Sequence, residues 1–144
     1  DTMRMESGFL HWGHDISPEE NQYEAKLNFA ISYKKKIDFI GKKNLLKIKD
    51  KKRNKRFVML TLKDNKPGHP LLLHEEPIYL DNKIIGRTTS GNHSFNYKKN
   101  LSFGYIKSDF SDEELLSKKL YIEVAKKKYP AIIEIKPLKK TSFS

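Results

Sequence analysis

A chain of 144 residues, 37% hydrophobic and 11% aromatic, has enough apolar material to bury the core of one domain, or of one small domain plus part of another, although 33% of it is charged. The absence of cysteine excludes disulfides, thiolate metal sites and cysteine nucleophiles, and it agrees with a reducing compartment such as the cytoplasm or an organelle matrix. No run of about 18 apolar residues is present to span a bilayer and no basic-then-apolar leader opens the chain, so no membrane partner is expected.

In chain order, DISPEENQYEAKL sets Ser17 before Pro18, with Glu20 three residues after the serine. This is the capping-box pattern with proline at the first helical position, and it predicts a short helical turn. AKLNFAISYKKKIDF alternates Leu27, Phe29, Ile31 and Tyr33 against Lys26, Asn28 and Ser32, which predicts a half-buried strand closed by lysines. In IGKKNLLKIKDKKRNK, Leu45, Leu46 and Ile48 predict a lysine-coated helix that fades into a charge run, so residues 50–56 form the expected boundary. Beyond it the texture changes. RFVMLTL is β-rich, KDNKPGHP is a breaker cluster, and EPIYL and KIIGRTTSG flank Asp81-Asn82, which suits a tight hairpin needing positive φ. NLSFGYI reads as a further strand, SDEELLSKK carries a second capping box in Ser111 and Glu114, and LYIEVAKKKYPAIIEIKPL reads as two strands folded back at lysines 126–128. Five or six short strands with one helical turn among them predict a closed or nearly closed antiparallel barrel or a sandwich.

The net charge of +11 raises the question of a polyanion partner. Only Arg4, Arg53, Arg56 and Arg87 among the 29 basic residues are arginines, whereas recognition of base edges and phosphates leans on the guanidinium fork. The lysine runs fall at expected turns and helix ends, so a spread, solvated surface is favoured and a nucleic-acid partner is not expected.

The stretch HWGHD holds His11, the lone tryptophan Trp12, His14 and Asp15. The spacing of the two histidines suits a metal pair, with Asp15 or Glu19 as a third ligand, but nothing like a glutamate between the histidines accompanies it. Packing of His11 and Trp12, with His14 or Asp15 bonded to local backbone, is favoured and no metal is assigned. Ser7 and Ser17 lie near His14 and Asp15 without a nucleophile elbow, so no catalytic residue is assigned. Arg4 is a planar fork in a lysine-dominated chain; it suits a ligand carboxylate or an ion pair with Glu6 or Asp15. GRTTSGNHSF, with Thr88, Thr89, Ser90, Gly91 and His93, is either a strand ending in a ligand-facing loop or an ordinary β-turn.

The segment MRMESGFLHWGHDISPEENQYEAKLNFAI, followed by DFIGKKNLL, resembles the part shared by the aminomethyltransferase of the glycine cleavage system and the tetrahydrofolate-binding half of dimethylglycine and sarcosine dehydrogenases. It carries, in order, Arg-x-Glu, aromatic-Gly-His-Asp, EA-x-L and an F-I/L-G-K/R motif. The likeness continues through KRFVMLTL, GRTTSGNHSFNYKKNLSFGYI and YPAIIEIKPL, on the dimethylglycine dehydrogenase side of the family. Gln22 and Lys26 depart from it, standing where many members have Pro and Gly.

The resemblance implies an α+β fold, mainly β, with residues 1–54 as the C-terminal end of a folate-binding domain and residues 55–144 as a C-terminal antiparallel β-barrel. It implies passage of a one-carbon unit from an N-methyl amine to tetrahydrofolate by an enzyme of which this chain is a portion, inactive alone. Tetrahydrofolate is the implied cofactor, contacted by Arg4 and walled by Trp12, with Ser90 approaching from the barrel; His14 and Asp15 match structural positions. FAD belongs to an N-terminal domain absent here, for no Gly-rich dinucleotide fingerprint occurs in the chain. The implied partners are folate and the rest of the flavin-containing enzyme or a partner subunit, in the cytoplasm or a mitochondrial matrix. An aminomethyltransferase subunit and a small basic polyanion-binding module are the alternatives.

Overall fold

A computed structural model describes residues 1–63, 66–107 and 109–139; residues 64 and 65 of the breaker cluster and residues 140–144 of the expected second domain lie outside the described residues. Helix α1 (Thr2–Glu6), a 3₁₀ turn (Asn28–Ala30) and helix α2 (Lys42–Ile48) precede strands β1 (Lys55–Leu62), β2 (Pro77–Leu80), β3 (Lys83–Ser94) and β4 (Lys99–Lys107). Helix α3 (Asp112–Ser117) and strands β5 (Leu120–Val124) and β6 (Lys127–Glu134) follow. The fold is α+β and mainly β.

The six strands pair antiparallel in the order β1-β4-β3-β2-β5-β6, and β6 returns to β1, so the barrel is closed. Closure leaves no edge to template another chain. The run RFVMLTL lacks clean alternation because β1 is buried on both faces. Val58, Leu60 and Leu62 join Ile78, Ile106 and Ile122 in the barrel core. Phe57 and Met59 pack instead with Leu101 and Phe103 of β4 beneath Met5 of α1. The register sets Phe57 opposite Tyr105 and Met59 opposite Phe103, which lines these rings along one outer face.

Local turn chemistry closes the strands as the sequence predicts. Leu80 pairs with Lys83 across Asp81 and Asn82, with Asp81 at φ 52°. The β5–β6 turn lies on Ala125 and Lys126, at φ 49° and 64°, one residue earlier than the expected lysine turn. Before α3, the Glu114 N–H donates to Ser111 Oγ at 3.1 Å and the Ser111 N–H donates to the Glu114 carboxylate at 2.7 Å, a complete capping box.

The first 54 residues differ from expectation in two places. Only half of the Ser17 box forms: the Ser17 N–H donates to Glu20 Oε2 at 2.8 Å, but Ser17 Oγ accepts from the Glu19 N–H and not from that of Glu20, and only turns follow. Asn21 Oδ1 accepts from the N–H groups of Tyr23 and Glu24 at 3.0 and 3.1 Å, competing with helical bonds, and Lys26 at φ 56° ends the single turn that results. The expected strand through Leu27, Phe29, Ile31 and Tyr33 is absent, and a 3₁₀ turn stands in its place. A strand needs a neighbour for its backbone groups, and the closed barrel offers none; Phe29 is accordingly 82% exposed. Helix α2 forms as predicted, yet none of its residues is buried.

Helix α1 is pinned to the β3–β4 hairpin by Glu6, a carboxylate only 2% exposed that accepts from Ser94 Oγ at 2.6 Å and Asn96 Nδ2 at 2.9 Å. The Ser94 bond, aided by Asn96 and the Lys139 cation, outweighs burial and holds its carboxyl below the ordinary 4.5. The folded pKa is therefore the lower one, so Glu6 contributes stability above its unfolded pKa and loses it as pH falls through the folded value. Urea midpoints are expected to fall as pH drops below 4.5, more steeply in the wild type than in Glu6→Gln; parallel curves would remove Glu6 from this role.

Candidate functional site

The turn at residues 11–16 is built by its own backbone. The Asp15 N–H donates to the His11 carbonyl at 2.8 Å and the Gly13 N–H to that of Ile16 at 2.8 Å. Gly13 sits at φ 86° with nothing within 4 Å of a Cβ there, so the turn requires glycine for its backbone angle and not for space. The turn holds Trp12 outward, 66% exposed.

What fixes this turn on the barrel is the Asp15 carboxylate, whose side chain is fully buried. Its Oδ2 accepts from Arg4 Nη1 at 2.7 Å and the His11 N–H at 2.9 Å, and its Oδ1 from Thr89 Oγ1 at 2.6 Å. The Tyr105 hydroxyl donates to the Asp15 carbonyl at 2.8 Å. Burial, with the Glu20, Asp15 and Glu24 carboxylates nearby, pushes the Tyr105 phenol up, which keeps it a donor. Of the two ion-pair partners open to Arg4 from the sequence, the structure selects Asp15; Glu6 points to Ser94 instead. The guanidinium also donates to Asp1 Oδ1 at 3.0 Å, the Phe9 carbonyl at 3.0 Å and Ser90 Oγ at 3.0 Å, and it lies 5.8 Å from the Phe103 ring centre.

Thr89 and Ser90 are adjacent in β3, and adjacent strand residues ordinarily face opposite ways. A bulge between Thr88 and Ser90 lets both reach the same cluster, Thr89 to Asp15 and Ser90 to Arg4. The GRTTSGNHSF stretch is thus strand as far as Ser94 and not a β-turn. At Gly91 a Cβ would meet the Leu72 carbonyl at 2.4 Å, so this glycine admits the 70–73 segment against β3. Arg4 and Ser90 therefore come together directly, and Trp12 is joined to them through Asp15. Tyr105 is not singled out by the sequence; only its strand is, and no local pattern marks a residue whose partner lies 90 positions away.

The residues of the metal and nucleophile patterns take the following partners. His11 and His14 stack with ring centres 4.6 Å apart, Asp15 is committed to three donors, and no group of three or more His, Asp or Glu among the described residues is arranged to hold a metal ion. Ser17 Oγ donates to Glu20 at 2.7 Å. Beside the cluster a polar cleft runs between the 13–20 turn and β3–β4, lined by His14, Glu19, Lys55, Arg87, Thr89 and Lys107. Its charges are largely paired, Lys55 with Glu20 and Arg87 with Glu75.

Residues 55–140 match the family described as the glycine cleavage T-protein C-terminal barrel domain. Human mitochondrial dimethylglycine dehydrogenase is 34% identical over 136 residues, covering 94% of this chain and 15% of that one. The formaldehyde-forming 4-methylaminobutanoate oxidase of Paenarthrobacter nicotinovorans is 32% identical over 95% of this chain and 16% of its own length. The aminomethyltransferase of Listeria welshimeri is 32% identical over 97% of this chain and 37% of its own. The crystal structure of the glycine cleavage system aminomethyltransferase T from Bartonella henselae superposes with a TM-score of 0.79 over 96% of this chain and 37% of that one at 22% identity, a likeness of fold. The chain thus spans a minor part of the length of each curated relative named here.

Proposed function

This chain belongs to the family of the glycine cleavage T-protein C-terminal barrel domain, and on that premise we propose that it is the tetrahydrofolate-binding C-terminal portion of an enzyme that passes a one-carbon unit from an N-methyl amine to tetrahydrofolate. Residues 1–54 are the end of the folate-binding domain and residues 55–144 the barrel. The observation that carries the reading is Trp12, a large indole held in water by a turn whose every anchor is satisfied. A hydrophobic ring left exposed on a rigid mount, on a turn tied to an arginine through Asp15, fits a flat heterocycle bearing a carboxylate tail.

Tetrahydrofolate supplies the nitrogen that accepts the one-carbon unit. The residues of this chain position it. Trp12 walls one face of the ring. Arg4 commits four of its five N–H donors within the chain, leaving one on Nη2 for a ligand carboxylate, and Ser90 fixes the orientation of that fork. Asp15 holds Arg4 and the Trp12 turn in one unit, so the contribution to rate is placement and exclusion of water and not proton transfer. The residues do not fit FAD: the chain has no Gly-rich strand-to-helix turn, and a flavin belongs to another part of the enzyme or to a partner subunit. No helix among the described residues is long and apolar enough to cross a membrane. The mitochondrial dimethylglycine dehydrogenase among the relatives supports a matrix location, with the cytoplasm as the alternative. The similarity to the Listeria aminomethyltransferase supports a second reading, in which the same wall serves an aminomethyltransferase.

One wall binds weakly. Isothermal titration of the chain with a reduced folate is expected to give a Kd of about 1 mM or weaker, about −4 kcal/mol. Micromolar binding would show a complete pocket and contradict the assignment as a portion of a site.

A further inference from the structure

Residues 34–56 hold twelve Lys and Arg against two Asp, so this stretch alone carries a net +10 of the chain's +11. Twelve of the 29 basic residues are thus concentrated in one stretch. Lys42 and Lys52 reach Asp38 and Asp109 at 3.6 and 2.9 Å, and Lys55 and Arg56 pair with Glu20 and Asp112. The lysines at 34–36, with Lys43, Lys47 and Lys51, reach no carboxylate among the described residues. Like charges this dense oppose the fold unless something answers them. Helix α2 is a poor structure on its own terms: seven residues, none buried, no side-chain cap at Gly41, and Lys42 and Lys43 in the turn where the helix dipole favours acids.

Among these cations lies an apolar centre. Ile40 is fully exposed, Ile37 is 81% exposed, and Phe39 and Leu46 are also open. Ile37 and Phe39 line a cleft with Ala30, Ile31, Lys35 and Asp38, whose carboxylate is taken by Lys42. An apolar centre with a charged rim is the anatomy of a protein interface.

We propose that the apolar cleft at Ile37 and Phe39, with the exposed Ile40 and Leu46 close by in the chain and the lysines of residues 34–52 around them, docks a protein surface that presents acidic side chains around an apolar centre. The charge asymmetry selects an anionic partner. A polynucleotide is disfavoured, because isoleucines add nothing to phosphate contacts and stacking needs flat rings. A lipid surface is disfavoured, because Ile37 and Ile40 sit on turns and α2 spans only about 10 Å, short for a helix lying among headgroups. Protein is also what the relatives offer as a neighbour, since most of their length lies outside the matched stretch. The proposal is independent of folate binding.

The probe is a synthetic amphipathic peptide of about 20 residues of Glu and Leu, long enough for an i,i+4 acidic face, titrated against the 144-residue chain. It is expected to bind about tenfold more tightly than a Gln–Leu peptide or a leucine-free Glu peptide, and to weaken as salt rises. The triple variant Lys34→Gln, Lys35→Gln, Lys36→Gln and the double variant Ile37→Ser, Ile40→Ser each weaken it severalfold. The triple variant Lys126→Gln, Lys127→Gln, Lys128→Gln removes equal charge from the β5–β6 turn and leaves binding unchanged; circular dichroism confirms that all three variants fold. The proposal is overturned if the Glu–Leu peptide binds no better than the leucine-free or Gln–Leu peptide. Tighter binding of single-stranded DNA or of phosphatidylglycerol vesicles, or equal damage from the 126–128 variant, overturns it as well.

Discussion

Replacing Asp15 by alanine is expected to cost the fold about 3–5 kcal/mol and to lower the melting temperature by about 10 °C. The size follows from what is left behind. The Asp15 side chain is fully buried, and its removal strands the Arg4 guanidinium, the His11 N–H and the Thr89 hydroxyl at once. The costly part is a mostly buried cation that loses its buried counter-ion and keeps only the exposed Asp1 carboxylate at 3.0 Å. An amide at this position keeps the shape and an acceptor but not the charge, so Asp15→Asn is expected to fall between wild type and alanine. Thermal unfolding by circular dichroism measures both. A loss below about 1 kcal/mol, the value of an exposed pair, would make the cluster a surface ion pair and remove the rigid mount on which Trp12 depends.

Phe103→Ala is expected to cost a comparable amount, about 3–5 kcal/mol for a buried phenylalanine that leaves a cavity. Phe103 is fully buried, meets Phe57 edge-on at 5.1 Å, and lies beneath Met5 and Arg4. The position of the cavity matters as much as its size, because it opens between the barrel and the segment that carries the site. Amide exchange in residues 2–16 is therefore expected to rise more in Phe103→Ala than in Leu60→Ala, whose cavity lies inside the barrel. Equal exchange in the two variants would mean that the segment and the barrel open as one unit.

The parts of the fold legible in the sequence are those governed by neighbours in the chain. Asp81-Asn82 and the Ser111–Glu114 box act through bonds within three residues, so their types and spacing suffice. The alternation through Leu27, Phe29, Ile31 and Tyr33 is equally regular, yet it predicts a strand that does not exist, because pairing depends on an edge that closure of the barrel removes. The site divides in the same way. The motif order draws attention to Arg4 and Trp12, and the isolation of Arg4 among lysines marks it. The choice between Glu6 and Asp15 as its partner is decided by tertiary contacts: Ser94 and Asn96 take Glu6. The joint reach of Thr89 and Ser90 depends on a bulge that no local pattern announces.

The central claim is that Trp12 is one wall of a folate site, mounted on the barrel through Asp15 and Arg4. Trp12 is the only tryptophan of the chain, so its fluorescence reports on that wall alone. Titration with 5-formyltetrahydrofolate, corrected for absorption by the ligand, is expected to quench the emission saturably in the millimolar range. The quench should weaken in Arg4→Gln at a temperature where that variant is folded. Emission that stays unchanged up to the solubility limit of the ligand, while titration calorimetry shows that the folate is bound, would place the ligand elsewhere and contradict the claim.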